Sequence, residues 1–169
     1  MFDRPIFGAI ECALPPSRAC VVIEHGNELI VSSIDPEKGR GSELARANIR
    51  GYHFSALSPD GSRVAVLLED RIRILDLASG RTEDISYPDW KSFHIFDSVH
   101  WAADGKGLYI TSFRNGKTVI LFMDLEGHVW PLFEAQGQFQ SWASASPDGR
   151  HLAFVVRTLA RNAWMIEKF

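Results

Sequence analysis

The residue types that could do chemistry are present, but not at the spacings chemistry requires. Six histidines (His25, His53, His94, His100, His128 and His151) are scattered through separate stretches, with no C-x-x-C or H-x-x-x-H pair among them. A zinc site is therefore not expected. Asn115-Gly116-Lys117-Thr118 has the ending of a phosphate-binding loop, yet the earlier glycine of that motif would fall at Thr111. The string also lies between two apolar runs, where a phosphate loop opens a helix. Gly105–Ile110 lacks the third glycine of a dinucleotide fingerprint and leads into an apolar run. No G-x-S-x-G string offers a nucleophile elbow. Asp35, Asp76 and Asp124 each end an apolar run; recurrence at one place points to turn formation, not to an acid–base pair. No catalytic residue, cofactor or metal is expected.

Recognition is the chemistry left. The stretch 87–96, YPDWKSFHIF, interleaves Trp90, Phe93 and Phe96 with Asp89, Lys91 and His94. Aromatic anchors beside charges suit a binding surface. Arg114, Lys117, Arg157 and Arg161 lie in connections between apolar runs and would add a basic sector. The candidate binding set is therefore Asp89, Trp90, Lys91, His94, Arg114, Lys117, Arg157 and Arg161. The plainer alternatives, which we favour, are a loop folding its aromatics over a gap between repeats and turn charges facing water.

These residues must be held by a scaffold, and the scaffold is a repeat. Asp-Gly pairs begin at Asp60, Asp104 and Asp148, 44 residues apart each time. Two of them sit in the string Ser-Pro-Asp-Gly, at Ser58–Gly61 and Ser146–Gly149; the middle copy reads Ala102-Ala103-Asp104-Gly105. Proline presets φ for a turn, aspartate bonds nearby amides and glycine takes the left-handed position. Each pair is followed by one apolar run and then a second: RVAVLLE and RIRILDL, GLYITSF and TVILFMDL, HLAFVVR and AWMIEKF. A degenerate first copy, PSRACVVIEH followed by ELIVSSID, lacks the Asp-Gly pair.

Short strands separated by regular turn signals read as all-β. Runs rich in Val, Ile, Leu and Phe with few alternating charges imply sheets covered on both faces. A period near 44 fits four-stranded propeller blades and exceeds that of leucine-rich or hexapeptide solenoids. Four units follow, at about residues 1–50, 51–90, 91–136 and 137–169. We label their strands A to D. The A strands are expected at Phe7–Cys12, Tyr52–Leu57, Ser98–Trp101 and Ser141–Ala145, and the D strands at Glu43–Ile49, Arg81–Ser86 and Val129–Phe133. The last unit ends after its C strand and has no D. Trp101, Trp142 and Trp164 lie on strands and are expected in the core. Cys12 and Cys20 fall on adjacent strands of one unit; small buried core residues are the favoured reading and a disulfide the alternative.

Bulk composition narrows the classes. The 169 residues suit one domain, and 46% hydrophobic with 23% charged content is ordinary for a globular protein. A net charge of −3 argues against a nucleic-acid footprint. No apolar run has the length of a membrane span. The N-terminus, broken by Asp3, Pro5 and Glu11, is a poor signal peptide. Read alone it implies a cytoplasmic protein, or a periplasmic one if the chain belongs to a larger membrane-anchored regulator.

The stretch Ser146–Phe169, with Ser58–Gly80 and Trp101–Gly127, resembles the repeat of TolB-like, WD-related β-propellers, strongly from Gly51 onward and weakly before it. The fourth unit resembles the terminal blade of propellers that follow kinase or winged-helix regions in bacterial regulators. The resemblance implies that B–C and D–A connections share one face, opposite the repeated A–B turns. The first set differs most between units, and variable loops on a rigid scaffold usually carry binding. We expect a partial propeller of about four blades, half of an eight-bladed ring, completed by a second copy or by further blades. The expected function is a non-catalytic module binding a protein or small molecule, in the sensor part of a regulator. The alternative is an accessory, substrate-gating propeller of a serine hydrolase whose catalytic domain lies elsewhere.

Overall fold

The computed structural model describes residues 8–50, 53–90, 95–136 and 142–155. These form four antiparallel sheets, each with its strands in sequence order. The first holds β1 (Gly8–Cys12), β2 (Cys20–Glu24), β3 (Leu29–Asp35) and β4 (Gly39–Ala47). The second holds β5 (Phe54–Leu57), β6 (Arg63–Leu67), β7 (Ile72–Asp76) and β8 (Thr82–Ile85). The third holds β9 (Ile95–Trp101), β10 (Gly107–Arg114), β11 (Lys117–Asp124) and β12 (Val129–Gln136). In the fourth, β13 (Ala143–Ala145) pairs with β14 (Leu152–Phe154).

The sheets stack face to face because alternate residues of a strand point to opposite sides. On β6, Val64 and Val66 pack with Val21, Ile23, Leu29 and Val31 of the first sheet. Ala65 and Leu67 turn the other way and pack with Leu108, Ile110, Val119 and Leu121 of the third. Both faces of the second sheet are thus buried, as its unbroken apolar runs imply. The first strands adjoin one another in series, β1 to β5, β5 to β9 and β9 to β13. That convergence of inner strands makes the stack radial, as in a propeller.

The Asp-Gly strings are the A–B turns. Ser58 N–H bonds the Arg63 carbonyl and Gly61 N–H the Ser58 carbonyl. The same pair recurs as Ala102 to Gly107 with Gly105 to Ala102, and as Ser146 to His151 with Gly149 to Ser146. The aspartate Oδ1 accepts the amide two residues on, from Ser62, Lys106 and Arg150 at 3.0, 3.0 and 3.1 Å. Ser58 and Ser146 hydroxyls also donate to Asp60 and Asp148. Ala102 cannot, yet the main-chain bonds survive, so the worn copy folds alike.

Several expectations are corrected. Cys12 and Cys20 are neither free nor buried core: they lie directly opposite in the β1–β2 register, Cα atoms 4.0 Å apart, and are joined as a disulfide. Their parity on the strands puts them on the face turned away from the second sheet. Trp142 is 59% exposed, because Ala143 takes the inward position, fully buried. Trp101 is buried as expected, and Trp164 lies outside the described residues. The fourth strand of the first sheet starts at Gly39, not Glu43, because Asp35 Oδ1 accepts the Glu37 and Lys38 amides and closes a short turn.

Between the first two sheets, Glu11 Oε2 accepts the Leu57 amide at 2.6 Å. Burial pushes this carboxyl above its ordinary pKa, opposed by that hydrogen bond. Its folded-state pKa exceeds its unfolded one. The group's contribution is therefore fully favourable below the unfolded value near 4.5 and is lost as pH rises through the folded value. Glu11→Gln keeps an acceptor for Leu57 and removes the titration. Denaturant unfolding from pH 4 to 7 should show the wild type losing stability relative to this variant as pH rises.

Gly61 and Gly116 offer a second test. Both have positive φ, +77° and +79°. A Cβ on Gly61 would stand 2.8 Å from the Ala19 Cβ, whereas one on Gly116 meets nothing within 4 Å. Gly116→Ala should cost about 1–2 kcal/mol, the strain of the left-handed region alone. Gly61→Ala should cost measurably more in the same urea titration.

Candidate functional site

On the face carrying the B–C and D–A connections, the structure joins some of the expected residues by ion pairs. Arg114, at the β10–β11 turn, lies 3.5 Å from Asp89, which leads out of the second sheet. Lys117 lies 3.1 Å from Glu134 of β12. Arg73 makes a two-pronged contact with Asp84, at 2.6 and 2.7 Å. The surface is a mixed-charge one and not a uniform basic sector. Trp90 is 4% exposed and does not face solvent as an anchor for a ligand. Its ring joins the core between the second and third sheets, and its indole N–H donates to the Glu69 carbonyl at 2.8 Å. It clips the D–A connection to the β6–β7 turn. Lys91, His94, Arg157 and Arg161 lie outside the described residues.

Also between the first two sheets, His25 Nε2 lies 3.4 Å from the Ser55 hydroxyl. Burial, helped by the neighbouring His53, holds His25 below the usual histidine range and so neutral. The contact is at the outer limit of hydrogen-bond length.

Clefts open at the other end of the sheets, beside the A–B turns. The one between the third and fourth sheets, about 420 Å³, is lined by Ala103, Asp104, Tyr109, Phe122, Asp148 and Gly149. Tyr109 and Phe122 lie 5.5 Å apart, and Phe122 lies 5.9 Å from Trp130 of β12. The Asp148 carboxyl is held below its usual range, first by the Ser146 hydroxyl and then by the Arg150 amide. It therefore carries its charge at neutral pH.

At the corresponding junction between the second and third sheets, where clefts of about 330 and 350 Å³ open on either side of it, a residue the sequence reading missed bridges the two walls. Arg63 sets its guanidinium 4.8 Å from the centre of the Trp101 ring and donates to the Gly105 carbonyl at 3.3 Å. Trp101 in turn donates its indole N–H to the Ala56 carbonyl at 2.9 Å. The one available signal was a cation just after the first Asp-Gly turn with an aromatic residue one period ahead of Leu57. At the β11–β12 turn, Asp124, Glu126 and His128 bring one ligand atom each within 4.8 Å. Asp124 there also accepts the Glu126 and His128 amides, the ordinary work of a turn aspartate.

With fold and surfaces defined, the protein is a partial β-propeller. Its fold is similar to TolB from Acinetobacter baumannii, with TM-score 0.65 at 21% identity over 92% of this chain and 39% of that one. It is similar to the Cps50 (Swd1) β-propeller domain of Myceliophteria thermophila, with TM-score 0.59 at 16% identity over 86% of this chain and 47% of that. Kuenenia stuttgartiensis hydrazine synthase gives TM-score 0.57 at 18% identity, over 86% and 48%. At such identities the likeness is one of fold, and the chain spans less than half of each of these structures. No protein-family model matches the sequence, and no curated protein does. Among the described residues no helix is long and apolar enough to cross a membrane.

The placement of Trp90 makes it a structural clip. Trp90→Phe keeps most of the ring and loses the bond to Glu69, which should lower stability by about 0.5–1.5 kcal/mol. Trp90→Ala should cost about 3–5 kcal/mol in the same denaturation measurement.

Proposed function

We propose that this chain is a non-catalytic interaction module, an arc of propeller blades that associates through its terminal sheet faces. In this reading a second copy supplies the other half of an eight-bladed ring, and the assembly is the sensing or docking part of a bacterial regulator. The observation that carries it is the contrast between inner and outer faces. Where an inner strand has a sheet on each side, its residues are almost wholly buried: Val64, Ala65 and Val66 of β6 are 0% exposed. Among the described residues, Trp142, Phe154 and Val155 of or beside the fourth sheet stay exposed, with Trp130 and Leu132 on the outer strand of the third, and in the first sheet Ile10 and Leu44 do. Apolar surface grouped this way is characteristic of an interaction site.

Supporting the non-catalytic part, the recurrent polar residues have structural employment. Asp60, Asp104 and Asp148 close turns. Asp89, Arg114, Lys117 and Glu134 form ion pairs.

Size-exclusion chromatography with light scattering tests the reading on the 19.0 kDa chain. A mass about twice that is expected. Trp130→Ser with Leu132→Ser should shift it to the monomer while the far-ultraviolet β spectrum stays intact. A wild-type monomer that binds no apolar dye would overturn the proposal.

A further inference from the structure

The internal repeat supplies its own point of comparison for the cleft between the third and fourth sheets. One junction earlier, the Arg63 guanidinium stands in the equivalent junction, with a cleft beside Asp60 and Gly105 on one side of it and one beside Ile74 and Asp76 on the other. It stacks on Trp101, bonds the Gly105 carbonyl, and lies close enough to Asp60 and Asp76 for its charge to act on both. Moving forward 44 residues replaces both bulky members of that arrangement. Arg63 becomes Gly107 and Trp101 becomes Ala145. The register is secure, because Ser58 bonds the Arg63 carbonyl as Ala102 bonds that of Gly107.

Two of the groups around the arginine keep counterparts here, whereas Asp76 does not: Asp124, in its place, is tied to its own turn and does not line the cleft. Asp104 stands where Asp60 does and Gly149 where Gly105 does, and both line the cleft. Tyr109 and Phe122, on the third-sheet wall that carries Gly107, supply the aromatic faces, with the Phe122 ring lying over Gly107. Asp148 adds a second carboxylate. Each aspartate spends Oδ1 on its own turn, which leaves Oδ2 to meet a ligand. The chain cannot refill the place from position 107, since a Cβ there would run into the Phe122 ring.

We infer that this cleft binds a guanidinium or ammonium group from outside the chain, in the position that the Arg63 guanidinium takes one junction earlier. Carboxylate oxygens on two sides fix the charge, and the aromatic rings hold its flat face by cation–π attraction. The source is either a basic side chain of a partner protein or a free organic cation. The inference does not depend on ring assembly, since both sheets that form the cleft belong to one chain.

Titration with L-argininamide, followed by the amide shifts of Asp104, Gly105, Asp148 and Gly149, tests it. Saturable binding with Kd on the order of 1 mM is expected for so small a ligand. L-citrullinamide, of the same shape without the charge, should move these amides at least ~10-fold less at equal concentration. Asp104→Asn with Asp148→Asn keeps the turn acceptors and should weaken argininamide at least ~10-fold. Asp60→Asn, at the junction that Arg63 bridges, should leave its binding unchanged. A Leu-Arg-Leu peptide amide separates the sources. Binding much tighter than argininamide marks a protein partner, equal binding marks a small cation, and either supports a cation site. Equal shifts from the charged and neutral ligands, undiminished binding by the double variant, or no shifts at all would overturn the inference.

Discussion

The constraint on which the structure depends is that each inner sheet has two apolar faces and, among the described residues, no helix to cover either. Along β6, consecutive residues Val64, Ala65 and Val66 are all fully buried, although they point alternately to opposite sides. Burying a valine is worth about 1.5–3 kcal/mol, so a strand left with either face in water would forfeit much of its stability. The only available cover is another sheet of the same kind. Stacking follows, and the sheets meet along their first strands, β1, β5, β9 and β13.

The three junctions meet that constraint with different materials. Between the first and second sheets the filling is aliphatic, with Val21, Ile23, Leu29, Val64, Val66 and Leu75 in contact. Glu11 adds the one inserted carboxylate described above, held by the Leu57 amide. Between the second and third, larger groups enter. Trp90 and Trp101 join the core, each with its indole N–H on a main-chain carbonyl of the second sheet. Between the third and fourth, aromatic contacts take over, with Phe133 and Phe154 rings 4.6 Å apart. A wedge-shaped gap widens with distance from the inner strands. Long or flat side chains fill the wider parts that valine cannot reach.

What could be read in the sequence was what repeats. The 44-residue spacing placed the turns, and the unbroken apolar runs implied sheets buried on both sides; the structure shows both. Features found in one unit only were harder to read. Cys12 and Cys20 became a disulfide because strand register sets them opposite each other, and register in a unit without an Asp-Gly turn is not legible from composition. Trp142 and Ala143 differ by one position, and that one step decides which of them is buried. For the loop residues, alternation gives no guide. Whether Trp90 faces solvent or the core depends on a carbonyl 21 residues away in sequence, that of Glu69. Arg63 went unnoticed because its partners, Trp101 and Gly105, belong to the next unit.

Among the described residues the two ends of the stack are not alike, and the difference bears on how the proposed ring would close. The outward side of the first sheet is largely polar. Arg40 pairs with Glu24 and also donates to Ser32, while Arg46 reaches Glu28 and Glu43. Ile10 and Leu44 stand among these charges as isolated apolar residues. Toward the other end the described residues present Trp142 and Phe154 at the fourth sheet, with Trp130 and Leu132 on the outer strand of the third. Two copies meeting aromatic end to aromatic end would bury apolar surface and leave two polar ends, stopping at an open pair. Two copies meeting head to tail would set the aromatic end against Ile10, Leu44 and the arginines, a pairing open to both apolar and cation–π contact. Only that heterologous contact, made twice, closes a ring. It requires the charged network of the first sheet to serve as an interface rim, which its exposed, multiply paired arginines can do without leaving a charge buried alone.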